Sequence, residues 1–299
     1  MESTYQHKER FAMMSQWASK GAGYERALLP IELSFQERIS TIDEPLFIPV
    51  DLRDSGAERF NRQMSYLIDA FDAFPRRVDQ SFDSTWKAFE STLDEVDNST
   101  WFINPRVKMV VDQKCVPKET VDYLCANVPV QTCEYLFKRL VFDQKDDEAR
   151  RRVSKKEDLL KLLGYIENKY DPTNEDDRRR GAILLRRVLR REENLTVASD
   201  TNFELEERSL SLLLISGILY TTRNDRIHGN SFSPFVSSVA SLKTYTHPYF
   251  AFISTYYVLL SMWLHQNPNV INGDRETVKT SMHRNITVAK KMFGRHWSS

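Results

Sequence analysis

The sequence predicts a mainly α-helical protein, a helical bundle with few or no strands. Two observations carry this. Only 9 of the 299 residues are glycine, and apolar residues recur at spacings of three and four through most of the charged segments, the period of a helix with one buried face. A hydrophobic fraction of 41 % supplies ample material for a core in a chain of this length.

Residues 1–55 read as an N-terminal extension, irregular apart from a helix near Tyr5–Lys20 and a proline-flanked segment, Glu44–Val50. Such an extension would bind a partner or brace a dimer. Residues 56–299 form the main helical region. Its first convincing helix is Ala57–Phe74, with Phe60, Met64, Leu67, Ile68 and Phe71 on one face, and Pro75 either ends it or starts the next. A second, Arg76–Val96, places Val78, Phe82, Trp86, Phe89 and Leu93 at the same spacing. Together they predict an antiparallel helical hairpin. Its aromatics lie on a helical stripe, which favours core over a base-stacking platform.

Residues 99–200 read as an inserted helical subdomain. It opens with a short strand, Val107–Val111, between Pro105 and Pro117, followed by helices near Lys118–Asn127 and Gln131–Phe142. Asp143–Lys156 is dense in both charge signs and poor in apolar residues, the pattern of a solvated loop or exposed helix. A hinge is expected there or at Asp171–Asp177. The helix Asp177–Glu193 gathers Gly181, Leu184, Leu185, Val188 and Leu189 on one arc. Arg179, Arg180, Arg186, Arg187, Arg190 and Arg191 lie on the opposite arc. That basic face either tracks a phosphate backbone or is a solvated face paired with Glu175, Asp176, Asp177, Glu192 and Glu193.

Leu205–Leu219 is a buried helix, with Glu204, Glu206 and Glu207 near its positive end. Ser231–Leu242 is a polar loop containing Pro234, followed by an aromatic helix, Tyr249–His265, and a last amphipathic helix, Arg275–Phe293. Pro248–Leu264 carries no charge but spans only 17 residues, with Ser254, Thr255 and Ser261 among them. A membrane helix needs about 20 apolar residues, so no membrane partner is expected.

Lys plus Arg and Asp plus Glu both number 42, so any affinity for nucleic acid must come from local patches. Cys115, Cys125 and Cys133 match no zinc spacing and include no Cys-x-x-Cys, which reads as reduced structural thiols in a cytoplasmic protein. The polar amino terminus lacks the apolar run of a secretory signal. Phosphate-loop, dinucleotide and zincin motifs are absent, no metal site or cofactor is expected, and His247, His265 and His283 stand apart from carboxylate or cysteine partners.

The most informative stretch is Arg223-Asn224-Asp225-Arg226-Ile227-His228-Gly229, directly after an apolar run. Composition alone yields roughly 1.5 occurrences of Arg-x(4–6)-His, so that bare spacing carries nothing. Requiring Asn after the Arg lowers the expectation to about 0.03. An imidazole can move the 2'-hydroxyl or leaving-group proton of an RNA phosphodiester while a guanidinium steadies charge on the phosphorus oxygens. The competing reading is a polar helix end, with Asn224 and Asp225 terminating the helix, Arg226 and His228 in water and Gly229 as the left-handed cap. The two readings are compatible.

The segment resembles the Arg-Asn-x-x-x-His signature of HEPN-superfamily ribonucleases, in the variant closed by His-Gly. The likeness covers residues 205–265 well and Phe60–Phe89 loosely, as a paired first helix. It implies a HEPN-type bundle acting as a metal-independent endoribonuclease that leaves a 2',3'-cyclic phosphate. It also implies a homodimer with a composite active site, and a toxin or antiviral defence role under an inhibitory or activating protein partner. By resemblance the catalytic residues would be Arg223 as phosphate clamp, Asn224 as orienting group and His228 as proton shuttle. RNA contacts would be added by Arg226 and by Arg179, Arg186, Arg187 and Arg190. Many members of the family have lost catalysis, and a non-catalytic module for protein interaction or nucleic-acid sensing is the rival expectation.

Overall fold

The computed structural model describes residues 2–142, 148–230 and 240–298. The expected mainly α-helical class holds. Helix α1 (Glu2–Lys20) leads to α2 (Pro30–Ser40), where proline at the first turn sacrifices no needed N–H and the Glu32 carboxylate accepts from the Leu29 backbone N–H. The segment expected to be irregular therefore holds a second helix. Phe35 packs on Tyr245 and Phe293, and Leu29, Ile31 and Val50 join the core.

Helices α3 (Glu58–Ala73) and α4 (Val78–Val96) form the expected hairpin. Val78, Phe82, Trp86, Phe89 and Leu93 are all buried, as their spacing predicts. Ile68 departs from expectation and is 56 % exposed. Gln63 takes a place on the buried face instead, accepting from the Trp263 indole N–H at 2.9 Å.

The strand expected at Val107–Val111 is helical, part of α5 (Ile103–Asp112). Val107, Val110 and Val111 are buried at spacings of three and one against α4, so tertiary packing overrides the β preference of a valine run. Then come α6 (Lys118–Ala126) and α7 (Val130–Phe137), which runs on into a wider π-type turn, Lys138–Phe142. Of the charged segment, residues 143–147 lie outside the described residues. The remainder includes α8 (Glu148–Val153), whose Ala149, Arg152 and Val153 are buried rather than solvated. Next are α9 (Glu157–Lys169) and α10 (Glu175–Leu189). Gly181 lets α10 lie directly on α7, since a Cβ there would fall 2.2 Å from the Phe137 ring. The described residues hold one small sheet, pairing β1 (Thr196–Val197) antiparallel to β2 (Asp200–Thr201).

Helix α11 (Glu207–Leu212), a π-type segment, Leu213–Tyr220, and α12 (Thr221–Ile227) follow one another without a break. The loop expected at Ser231–Leu242 falls largely on residues 231–239, outside the described residues. Helix α13 (Leu242–Gln266) begins earlier than expected and is buried on nearly every side, as its uniformly apolar character requires. Helix α14 (Arg275–Phe293) has its expected bounds and is capped by the Asp274 carboxylate, which accepts from the Thr277 N–H. A final turn, α15 (Arg295–Ser298), buries Trp297. Helix α4 packs between α3 and α13, and α7 between α10 and α13. No helix among the described residues is long and apolar enough to cross a membrane. All three cysteines are free and buried, and burial pushes the Cys125 and Cys133 thiols well above their usual range.

Candidate functional site

The Arg223–Gly229 stretch forms the last turns of α12 and its cap. Gly229 has φ +69°, its N–H donates to the Arg226 carbonyl, and the Asn230 N–H donates to the Asp225 carbonyl at 2.7 Å. This pair of bonds is a Schellman cap. The expected Gly229 cap is therefore present and leaves the His228 imidazole exposed where the chain turns away. The helix, however, runs on to Ile227, Asp225 is buried, and Arg226 meets carboxylates of α4 instead of water.

Helical geometry then divides the stretch into two flanks. Residues 223 and 228 are five apart, about 140° around the axis, whereas 224 and 228 are about 40° apart. Accordingly Arg223, Arg226 and Ile227 line one groove with Asp83, Trp86, Lys87 and Glu90 of α4. Asn224 and His228 line a different cavity, of about 240 Å³, with Arg139, Glu148, Arg152, Thr221, Asp225 and Asn230. The two flanks touch where an Arg223 guanidinium N–H donates to Asn224 Oδ1 at 3.1 Å.

On the α4 flank both arginines are held by carboxylates. Arg223 pairs with Glu90 at 3.1 Å, and Glu90 also accepts from the Trp86 indole N–H at 2.8 Å. Arg226 donates twice to Asp83, at 2.6 Å each, and to Asp79 at 3.3 Å. Desolvation opposes the Arg226 charge, but the bonds and charges of Asp83 and Asp79 outweigh it and raise its pKa.

Beneath the other flank lies a buried polar network. Asp225 accepts from the Tyr135 hydroxyl at 2.6 Å and pairs with Arg139 at 2.9 Å. Burial and the adjoining Asp225 charge push the Tyr135 phenol well up. The Tyr135 ring stacks on His247, whose two nitrogens lie 3.3 Å from Thr222 Oγ1 and 3.2 Å from Thr132 Oγ1. Desolvation, helped by the Arg226 charge, brings His247 down to about 3. It is a neutral, bonded core histidine.

The arginines of α10 take no part in lining either cavity. Arg186 donates to the backbone carbonyls of Val128 and Ser298, both at 3.0 Å. Arg187 and Arg190 pair with Glu192 at 3.0 and 3.3 Å, and Arg179 is exposed. Sequence reasoning missed the two guanidiniums that do line the His228 cavity, Arg139 and Arg152. A signal was present for the second, since Ala149 and Val153 stand four apart in the charged segment and Arg152 adjoins that small apolar face. Comparison with protein-family models, with curated proteins and with solved structures finds no match to this chain.

Proposed function

We propose that this chain is a metal-independent endoribonuclease of the HEPN type. The single observation that carries the reading is the exposed His228 imidazole at the end of α12, beside Asn224 and at an arginine-lined cavity. In the proposed reaction the 2'-hydroxyl loses its proton to a base and the 2'-oxygen bonds to phosphorus. The bond from phosphorus to the 5'-oxygen breaks and that oxygen takes a proton, leaving a 2',3'-cyclic phosphate. His228 moves the proton, Asn224 orients the reacting group, and guanidinium charge steadies the phosphorus oxygens. The protein acts as a homodimer with one motif from each protomer, which brings Arg223 of one copy towards His228 of the other. Ile227, 60 % exposed beside Arg223, supports an apolar contact there. A toxin or antiphage role under a protein regulator extends the family resemblance.

The test is cleavage of labelled RNA in EDTA with analysis of product ends. His228→Ala and Arg223→Ala are each expected to slow cutting by about 100-fold or more without unfolding the protein, and an equimolar mixture of the two variants should recover part of the activity. Wild-type rates in both variants would sink the mechanism. The ion pairs of Arg223 and Arg226 with α4 favour a second reading, a non-catalytic helical module for protein interaction or nucleic-acid sensing, in which the stretch chiefly ties two helices together. It predicts binding of a partner protein or nucleic acid by the wild type without RNA turnover.

A further inference from the structure

The cavity beside His228 contains a cation that the described residues leave incompletely satisfied. Helix α8 approaches the π-type segment at Gly217, where a Cβ would stand 3.4 Å from Val153. That approach presses Arg152 against Tyr220 and Thr221. Arg152 is only 7 % exposed, its guanidinium lies 4.7 Å over the Tyr220 ring, and one amine donates to Thr221 Oγ1 at 2.7 Å. Its Nε makes no hydrogen bond to the described residues. Among the described residues its carboxylate partner is Glu148, at 3.5 Å with its side chain 64 % exposed, so water screens much of that charge.

A buried guanidinium cannot escape desolvation by losing its proton, and buried charges are normally paired. Desolvation does lower the Arg152 pKa despite Glu148, and the charge of Arg139 on the same cavity opposes it further. Among the described residues the other carboxylate lining the cavity, Asp225, is already taken up by Tyr135 and Arg139. Lining donors come from three separate elements: the π-type turn after α7, α8 and α12. A planar carboxylate presents its acceptors in one plane, whereas a tetrahedral oxyanion offers acceptors in several directions at once.

We propose that this cavity binds a phosphoryl group, with Arg152 as its anchoring cation and Arg139, Asn224 and His228 completing the ring of lining groups. Naming an RNA phosphate as the source rests on the nuclease reading, but the binding of phosphate itself needs no turnover. Arg152 is thus a binding residue at the proposed centre, reached from a part of the sequence 69 residues away from Thr221.

The experiment titrates inorganic phosphate and adenosine 3'-monophosphate into the full chain by calorimetry, using wild type, Arg152→Gln, Arg152→Lys and His228→Ala. Both probes should bind the wild type, the nucleotide more tightly, with affinity down about tenfold or more in Arg152→Gln and between the two in Arg152→Lys. His228→Ala, which removes one lining group but leaves the anchoring cation in place, should weaken binding less than Arg152→Gln. Should Arg152→Gln fail to fold, the Arg152 Nε–H resonance of wild type, assigned by its absence in Arg152→Lys, must shift on adding phosphate. Binding that ignores the Arg152 substitutions, or no binding to the wild type, overturns the pocket. Equal affinity for free phosphate and nucleotide overturns the RNA source. Arg152-dependent binding without any RNA cutting leaves the pocket standing and sinks the nuclease, whereas cutting without phosphate binding does the reverse.

Discussion

The two flanks of α12 use the same residue types to opposite ends. Towards α4, Arg223 and Arg226 are matched by Glu90, Asp83 and Asp79, and the result is a clamp between helices. Towards α7 and α8, Asn224 and His228 face Arg139 and Arg152 across an open cavity. Seven consecutive residues therefore split between tying α12 to α4 and lining the cavity. The α4 flank matches both of its arginines with carboxylates across the helix pair, whereas the cavity flank gives Arg152 only the exposed Glu148.

The largest expected effect comes from acid acting on the buried network under the cavity flank. His247 titrates near its usual 6.5 in the unfolded chain but near 3 in the fold. Its contribution is therefore complete above about pH 6.5 and is lost as pH falls towards 3, by about 1.4 kcal/mol per pH unit. Urea unfolding at stepped pH should show this slope in wild type and a shallower one in His247→Gln. Identical slopes would mean that the imidazole is not sealed beneath the site.

Next in size, Arg226→Ala should destabilise by about 2–3 kcal/mol, because it strips a partner from Asp83 and from the fully buried Asp79. Asn224→Ala on the opposite flank should cost under about 1 kcal/mol. Equal losses in denaturant melts would erase the distinction between clamp and site. Gly229→Ala is expected to cost about 1 kcal/mol, since φ +69° is disfavoured for alanine although the space around it is open. The smallest effect on stability falls on α10. Replacing Arg179, Arg187 and Arg190 with alanine should shift stability by less than about 0.5 kcal/mol. If that face tracks RNA, the salt dependence of binding should flatten by roughly two units of slope, and an unchanged slope would remove α10 from the RNA path.

Much of the fold was legible because it is written locally. The stripes of α3 and α4, the bounds of α14 and the glycine cap after His228 each follow from residues within a few positions of one another. Val107–Val111 misled because β-branched residues favour strands until a neighbouring helix buries them at helical spacing. The site was legible only as a line of residues. Its division into two flanks, the Tyr135–Asp225 bond across 90 positions and the burial of Arg152 against Tyr220 all depend on distant segments meeting. No local pattern encodes those encounters.

The π-type segment Leu213–Tyr220 works as a phase setter for everything after it. Each i→i+5 bond takes up one residue more than an α turn requires, so the segment delays the rotation of the chain before it reaches Thr221. One residue amounts to about 100° of azimuth. Shortening the segment by one would swing Arg223 and Arg226 off their carboxylates and carry His228 away from Arg152. A single slot of register, several residues upstream, thus determines which side chains meet which neighbours.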